Sequence, residues 1–488
     1  MIAQQSASIE LNKINKITPP GPPGLPFVGM LPFLGEHIHL ELHQLAKKYG
    51  NIFQLRVGGR NLIVLNGLET IKEALVKQGA SFNSRADFKV FQQAPQSEFL
   101  ELKSGEPWKK HRKIAGQVMH TFLSGKSDLH SSWIIDETAD LVNSFLSYDG
   151  QPLKPDLYLP LAALSFMQRL LFDKRGYLEK DEDFVATAYA LKKILNGLLT
   201  IVKLEVMPEI WQPLFTLSRR KTLQDFPKAM NILDNYISKN VEQHRESFDP
   251  KNLKNIADAV LKANSEITDS DRNNFQLSEY AIVNGILIQF AAAGTALTSL
   301  MLRWALLYMI SYPEIQAQVQ KELDEVVGRE QKPSFADRSK LPFTEACINE
   351  IFRHSSATIM PAITYATSTD TILEGYSIPQ NTPLFINYYG LTRDQRYWEE
   401  PEQFNPYRFL DENGKFRNDL LDKFYPFGVG ARRCLGEYLG RLKIFTFFTN
   451  LMHQCKFEKV PGEKLSLRPQ PGTFLSPEDY KVVVKPRF

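Results

Sequence analysis

Cysteine is scarce in this chain: Cys347, Cys434 and Cys455 are the only three in 488 residues, far apart and without a C-x-x-C pair. That spacing excludes a disulfide framework and a zinc site of ordinary ligand spacing, and it points to a reducing compartment. Charge of one sign is not in excess either, since 58 Lys and Arg against 55 Asp and Glu leave a formal +3. A nucleic-acid binder needs a basic excess across a whole domain, so no nucleic-acid partner is expected. The opening stretch, MIAQQSASIELNKINKITPP, lacks an apolar run of signal-peptide or membrane-span length, which favours a soluble, cytoplasmic protein. Repeats, low-complexity tracts and a mid-chain Pro/Gly/Ser linker are absent as well.

What is present is an ordinary globular composition, 43% hydrophobic, on a chain long enough for a large core. Pro19 to Pro26 form a stiff polyproline-like entry, so residues 1–24 read as a lead and hinge, and 25–488 as one domain. HIHLELHQLAKKYG has helical spacing ended by Gly50, and NIFQLRVGGRNLIVLNG alternates around Gly58 and Gly59 as a hairpin does. From about Pro107 helical patterns dominate, among them WKKHRKIAGQVMHTFL, SSWIIDETADLVNSFLS, DEDFVATAYALKKILNGLL and PEIQAQVQKELDEVVG. Strand signals return at 371–388 and in the last thirty residues. The expected architecture is mainly α, a large helical body with small β-sheets contributed by the two chain ends.

From Ala281 to Leu302 no residue is charged, but Asn284, Gln289, Thr295, Thr298 and Ser299 interrupt the run. So many polar side chains suit a buried central helix better than a membrane span. Near the C-terminus FGVGARRCLGEYLGR, Phe427 to Arg441, sets one cysteine in a glycine-punctuated loop just before an apolar helix. Glycine permits the tight turns, and a helix N-terminus with Arg432 nearby favours thiolate.

The spacing F-x-x-G-x-R-x-C-x-G resembles the thiolate loop of the cytochrome P450 superfamily. Other marks follow in order: EIFR, Glu350 to Arg353, is similar to the family's E-x-x-R; FNPYRF, Phe404 to Phe409, to its F-x-P-x-R-F; and WKKHR, Trp108 to Arg112, to its W-x-x-x-R helix. EIFRHSS and STDTILEGYSIPQNTPLFINYYGLTRD resemble the animal branch that holds steroid 17-hydroxylase and the aryl-hydrocarbon hydroxylases. The resemblance implies haem b (iron protoporphyrin IX) with Cys434 as its metal ligand. Trp108, Arg112 and Arg432 would meet the propionates, and Phe427, Gly430 and Gly436 would shape the loop. Glu350, Arg353 and Arg408 would form a buried structural triad. On the residues alone, Glu350 and Arg353 at i and i+3 are equally an exposed ion pair, and His111 and His120 are ordinary histidines.

One segment departs from the family. Its distal helix carries A/G-G-x-D/E-T-T/S; here Ala293 and Gly294 match, Thr295 fills x, Ala296 stands at the acid, Leu297 at the alcohol, and Thr298 closes the motif. Positioned proton delivery is commonly worth about 10² to 10⁴ in rate. Thr298 re-aimed by a π-bulge, or Thr295, could take over that role in a monooxygenase. The alternative is an isomerase or lyase of a hydroperoxide or endoperoxide, which needs neither O2 nor a reductase. A second departure is Tyr365, where many members place an Arg or His against a propionate.

The implied substrate is small and hydrophobic, a steroid, fatty acid or polycyclic. Pocket walls are expected from 91–100, 198–217, 288–297, 357–363 and 473–475. Electrons are expected from a separate flavoprotein reductase or a ferredoxin, drawn to a basic face of Lys109, Lys110, Lys113, Arg433 and Lys443. A monomer is expected, and similarity to microsomal members makes peripheral contact with the endoplasmic reticulum membrane the alternative location.

Overall fold

The computed structural model describes residues 17–89, 98–176, 181–357 and 364–488. Helices make up most of the body. In chain order the long ones are α1 (Ile38–Tyr49), α2 (Gly105–Leu123), α3 (Ser127–Leu146), α4 (Leu159–Phe172), α5 (Glu182–Val206), α6 (Arg220–Arg245), α7 (Ile286–Ser311), α8 (Pro313–Val326), α9 (Pro342–Ser355) and α10 (Glu437–Gln454). Their ends follow local chemistry. Gly50 takes φ 90° to stop α1, and the Asp181 carboxylate accepts from the Phe184 N–H to start α5.

α7 is the central helix, with α4, α10, α9 and α5 packed on its different sides. That surround explains an apolar run without a single apolar face, and it makes α7 a core helix. α4 escaped the sequence reading for the same reason. All of it but Arg169 is buried, so no polar stripe marks its period.

The largest sheet has five strands in the order β1 (Ile52–Val57), β2 (Arg60–Leu65), β7 (Pro383–Ile386), β4 (Tyr365–Ala366) and β3 (Ser84–Arg85). β1 and β2 form the expected hairpin, with Val57 opposite Arg60, and β2 runs parallel to β7. At the turn, Gly58 has φ 57° and a Cβ there would lie 1.8 Å from the Val206 carbonyl oxygen, so only glycine lets α5 end on this sheet. The proline lead is docked too: the Pro20 carbonyl accepts from Gln54 N–H at 2.8 Å and the Ile17 carbonyl from Ser377 N–H at 2.9 Å. Two-stranded pairs complete the fold, β5 (Thr371–Leu373) with β6 (Tyr376–Ile378), β8 (Cys455–Lys459) with β11 (Val482–Pro486), and β9 (Pro469–Gln470) with β10 (Ser476–Pro477).

Glu350 and Arg353 are not an exposed pair; both are wholly buried on α9. Arg353 donates to both Glu350 carboxylate oxygens at 2.7 and 2.8 Å and to the Thr392 and Pro401 carbonyls at 2.7 and 2.9 Å. Glu350 also accepts from Arg408 Nε at 3.1 Å and the Asn405 N–H at 2.9 Å. The triad pins the segment around 392–408 to α9.

Candidate active site: the Cys434 loop and the central helix

Cys434 lies in the loop before α10, its N–H donated to the Phe427 carbonyl at 2.9 Å. The loop is held by close approaches. Gly430, φ 76°, lies where a Cβ would meet the Leu75 carbonyl oxygen at 2.1 Å, and Phe427 packs on Phe352 of α9 under the Arg441 guanidinium, 4.8 Å from its ring centre. Gly436 caps α10, and its N–H bonds the Cys434 sulfur. Burial pushes the Cys434 thiol up, opposed by the Gly436 N–H, Arg112 and Lys443. Cys434 nonetheless has exposed surface although protein surrounds it, which means it borders an internal hollow.

One face of α7, tied to α10 through Lys443 and the Gly294 carbonyl, keeps open surface as well. Phe290, Ala293, Gly294 and Leu297, at i, i+3, i+4 and i+7, keep exposed surface in the middle of the molecule, whereas Ala291, Thr295, Ala296 and Thr298 are buried. α7 is regular from Ile286 to Ser311; its π-helical turn lies at Ala281–Gly285, well upstream of Thr298, so no bulge re-aims that hydroxyl. Thr298 Oγ1 donates to the Gly294 carbonyl at 2.7 Å. Thr295 points elsewhere, into a separate polar chamber on the back of the helix, and Leu297 borders the hollow.

Lys443 does not belong to a basic outer face. It is 1% exposed, and its Nζ donates to the Gly294 carbonyl and sits 3.5 Å from the Met167 sulfur, tying α10 to α7. Burial brings its ammonium down to about 7. On the proximal surface Lys113 and Arg433 are exposed, while Lys109 pairs with Glu106 at 2.6 Å and Lys110 with Asp271 at 2.8 Å.

At the rim three guanidiniums converge. Arg432 lies 3.8 Å over the Trp108 ring, donates Nε to the Asn83 carbonyl and Nη2 to the Lys103 carbonyl, and leaves a buried Nη1 without a partner. Arg112 lies beside the same indole and donates to the Arg433 carbonyl. Arg85, on β3, donates to the Glu101 carbonyl at 2.9 Å and stacks 4.6 Å from the Tyr365 ring centre. Burial first, then Arg85 and Arg112, bring Arg432 down to about 8. Such a cationic cluster calls for an anion of more than one charge. Haem b would meet that requirement, with Arg432, Arg112 and Arg85 available to its propionates and the Cys434 sulfur to its iron. Sequence reasoning missed Arg85 because a two-residue strand carries no motif. Tyr365 shows why no cation is needed at its position, since Arg85 covers its ring. The 91–97 and 358–363 parts of the expected walls lie outside the described residues.

The class defined by this arrangement is a haem-thiolate protein. A family model for cytochrome P450 matches residues 19–484. The chain is 38% identical over 460 residues (94% of this chain, 93% of the relative) to the polybrominated aromatic compounds synthase of Pseudoalteromonas luteoviolacea strain 2ta16. It is 32% identical to chicken (Gallus gallus) cytochrome P450 1A5, covering 91% and 85%, and 34% identical to human cytochrome P450 2J2, covering 94% and 90%. The chain belongs to the cytochrome P450 family, whose members bind haem b, and it is a P450 monooxygenase.

Arg432→Gln should release haem to apomyoglobin about tenfold faster than the parent, since it removes one buried charge-assisted contact. Unchanged release would remove Arg432 from the propionate set.

Proposed function

We propose that this P450 oxidises small apolar aromatic molecules, with two electrons delivered by a separate flavoprotein reductase or ferredoxin. The wall of α7 carries the reading: Phe290, Ala293 and Leu297 face the hollow with no ionisable group among them, and the small Ala293 leaves room beside the haem plane. A second supporting feature is a mostly apolar cavity of about 710 Å³ between the sheet and the end of α5, whose lining includes Leu55, Phe88, Leu199, Val202, Phe215 and Phe385 beside Arg60 and Lys203. The name of the Pseudoalteromonas relative, a synthase of polybrominated aromatic compounds, supports an aromatic substrate. The experiment is a screen of substituted phenols and fused aromatics for substrate-induced spin shift, against a steroid and a fatty acid; tight binding confined to the last two would overturn the aromatic assignment.

Bound haem supplies the oxidising chemistry: O2, two electrons and two protons enter, one oxygen atom passes into the substrate and the other leaves as water. The chain's own residues set the conditions. Cys434 would hold the iron through an electron-rich thiolate. Leu297 would keep water from the reacting side of the hollow. Thr298 is the proposed proton-handling alcohol, since Thr295 lines the rear chamber, and for that Thr298 must turn its hydroxyl from the Gly294 carbonyl toward the hollow. Lys443 donates to the same carbonyl, so the helix keeps that acceptor satisfied while Thr298 moves. Ala296→Asp with Leu297→Thr should raise the fraction of reducing equivalents recovered in product several-fold, given that positioned proton delivery is worth about 10² to 10⁴ in rate. No gain would show that the present helix already handles protons.

The inward-turned Thr298 hydroxyl keeps the hydroperoxide isomerase as a second reading. Anaerobic turnover of a fatty-acid hydroperoxide without an electron donor would select it over the oxygenase.

We also propose peripheral membrane contact at the cavity mouth. Trp211 and Leu214 line the cavity and stay half-exposed or more, with Ile210 at 83% and Leu217 at 70% beside them and Phe27 and Phe33 exposed on the facing lead. Ile210→Ser with Leu214→Ser should lower co-sedimentation with phosphatidylcholine vesicles at least several-fold, since each removes a large apolar side chain from the interface. Parent protein that stays in the supernatant would locate the enzyme in solution.

A further inference from the structure

Behind α7, away from the face that borders the hollow, lies a second cavity of about 260 Å³. It is small by the standard of pockets for drug-sized molecules, and its size suits a single ring. One half of the wall is apolar, with Leu191 and Leu195 of α5, Leu300 of α7 and Phe474 of the C-terminal β9–β10 hairpin. The other half is charged and polar. Asp156, 6% exposed, sits on the 155–157 turn ahead of α4 and accepts from Lys192 Nζ of α5 at 2.6 Å. Arg303 of α7, 8% exposed, uses Nη2 on the Pro477 carbonyl at 3.4 Å and the Asp479 carboxylate at 3.3 Å.

Donors outnumber acceptors on this wall. Arg303 Nε and Thr295 Oγ1 are buried without partners, the latter on a residue with no exposure at all. Lys192 has further N–H groups beyond the one given to Asp156. Each cation has one carboxylate, Lys192 with Asp156 and Arg303 Nη2 with Asp479, and Asp156 is held below its ordinary range: burial pushes it up, but the Lys192 hydrogen bond and charge, with Arg303 and Lys154, outweigh it. Asp156 thus stays ionised and leaves Arg303 Nε unanswered. A buried guanidinium N–H without an acceptor costs free energy that an incoming oxyanion recovers.

We propose that this chamber is a second ligand site, separate from the haem pocket, that takes a single-ring aromatic bearing an oxyanion, its ring against Phe474 and its oxygen toward Arg303, Lys192 and Thr295. The site does not depend on which substrate the haem pocket oxidises. Its floor is Thr295, Ala296 and Ser299, so an occupant presses directly on the helix turn whose opposite face meets the haem.

The test is calorimetric titration of the holoenzyme with benzoate and with neutral benzamide, in the parent and in Lys192→Gln and Thr295→Val, with imidazole present to occupy the iron. The expected result is one benzoate per chain with imidazole in place, at least tenfold tighter than benzamide, weakened about tenfold in Lys192→Gln and severalfold in Thr295→Val. Arg303→Gln should abolish binding, but it also breaks the tie to Asp479, so Lys192→Gln, with its partly exposed side chain, is the decisive variant. Four outcomes overturn the proposal: benzoate no tighter than benzamide, equal affinity in Lys192→Gln, displacement of benzoate by imidazole, or no heat at millimolar ligand, which would leave the chamber to water.

Discussion

Cys434→Ala yields a folded protein that has lost the Soret band of carbon monoxide bound opposite a thiolate. The reason is local. Cys434 borders a hollow and its side chain fills no packed core, so removing the sulfur should cost stability no more than about 1 kcal/mol. The chemistry it supports has no substitute nearby, because the other two cysteines, Cys347 on α9 and Cys455 on β8, are buried with their thiols pushed up. Oxygenase turnover should therefore fall to background while thermal unfolding stays within a few degrees of the parent. Reduced protein treated with carbon monoxide gives the answer in a single spectrum; a retained thiolate band would mean another sulfur holds the iron and would overturn the site.

The second large effect is the reverse in kind, structural with no direct chemical role. Glu350→Ala leaves Arg353 as a wholly buried guanidinium without its anion and strips the ion partner from Arg408 Nε. Removing one member of such a pair costs about 3 to 5 kcal/mol, because the remaining charge is still desolvated. That is comparable with the whole stability of many domains. The expected result is little soluble holoenzyme, and what is recovered should melt well below the parent. Glu350→Gln retains the oxygen acceptors but not the charge and should lie between the two. Melting curves unchanged in Glu350→Ala would show that the carbonyls of Thr392, Pro401 and Gln403 satisfy Arg353 alone.

These two sites were legible in the sequence for different reasons. The Cys434 loop is contiguous, so glycine, arginine and cysteine at fixed spacing spell out both the turn and the ligand. The Glu350 to Arg353 pair is likewise local, but its burial is not, and the one-turn spacing fitted a solvent-exposed pair equally well. Three features could not be read along the chain. Arg85 joins the guanidinium cluster only because β3 pairs with β4 and brings it over Tyr365. Lys443 looked like surface charge because α10 has polar residues around it, yet it points across to Gly294. Thr295 and Thr298 were alternative candidates for handling protons; Thr295 lines the rear chamber and Thr298 bonds its own backbone.

By itself the sequence determined the cysteine loop at 427–436, the helical body, the hairpin at Gly58 and the absence of an acid at position 296, because each is written in residues close together along the chain. Only the tertiary structure decided which guanidiniums gather around Trp108, which lysine is buried, and that α7 separates an apolar hollow from a charged chamber. Those outcomes depend on which faces of distant helices are pressed together, and side-chain identity leaves that choice open until the core is packed.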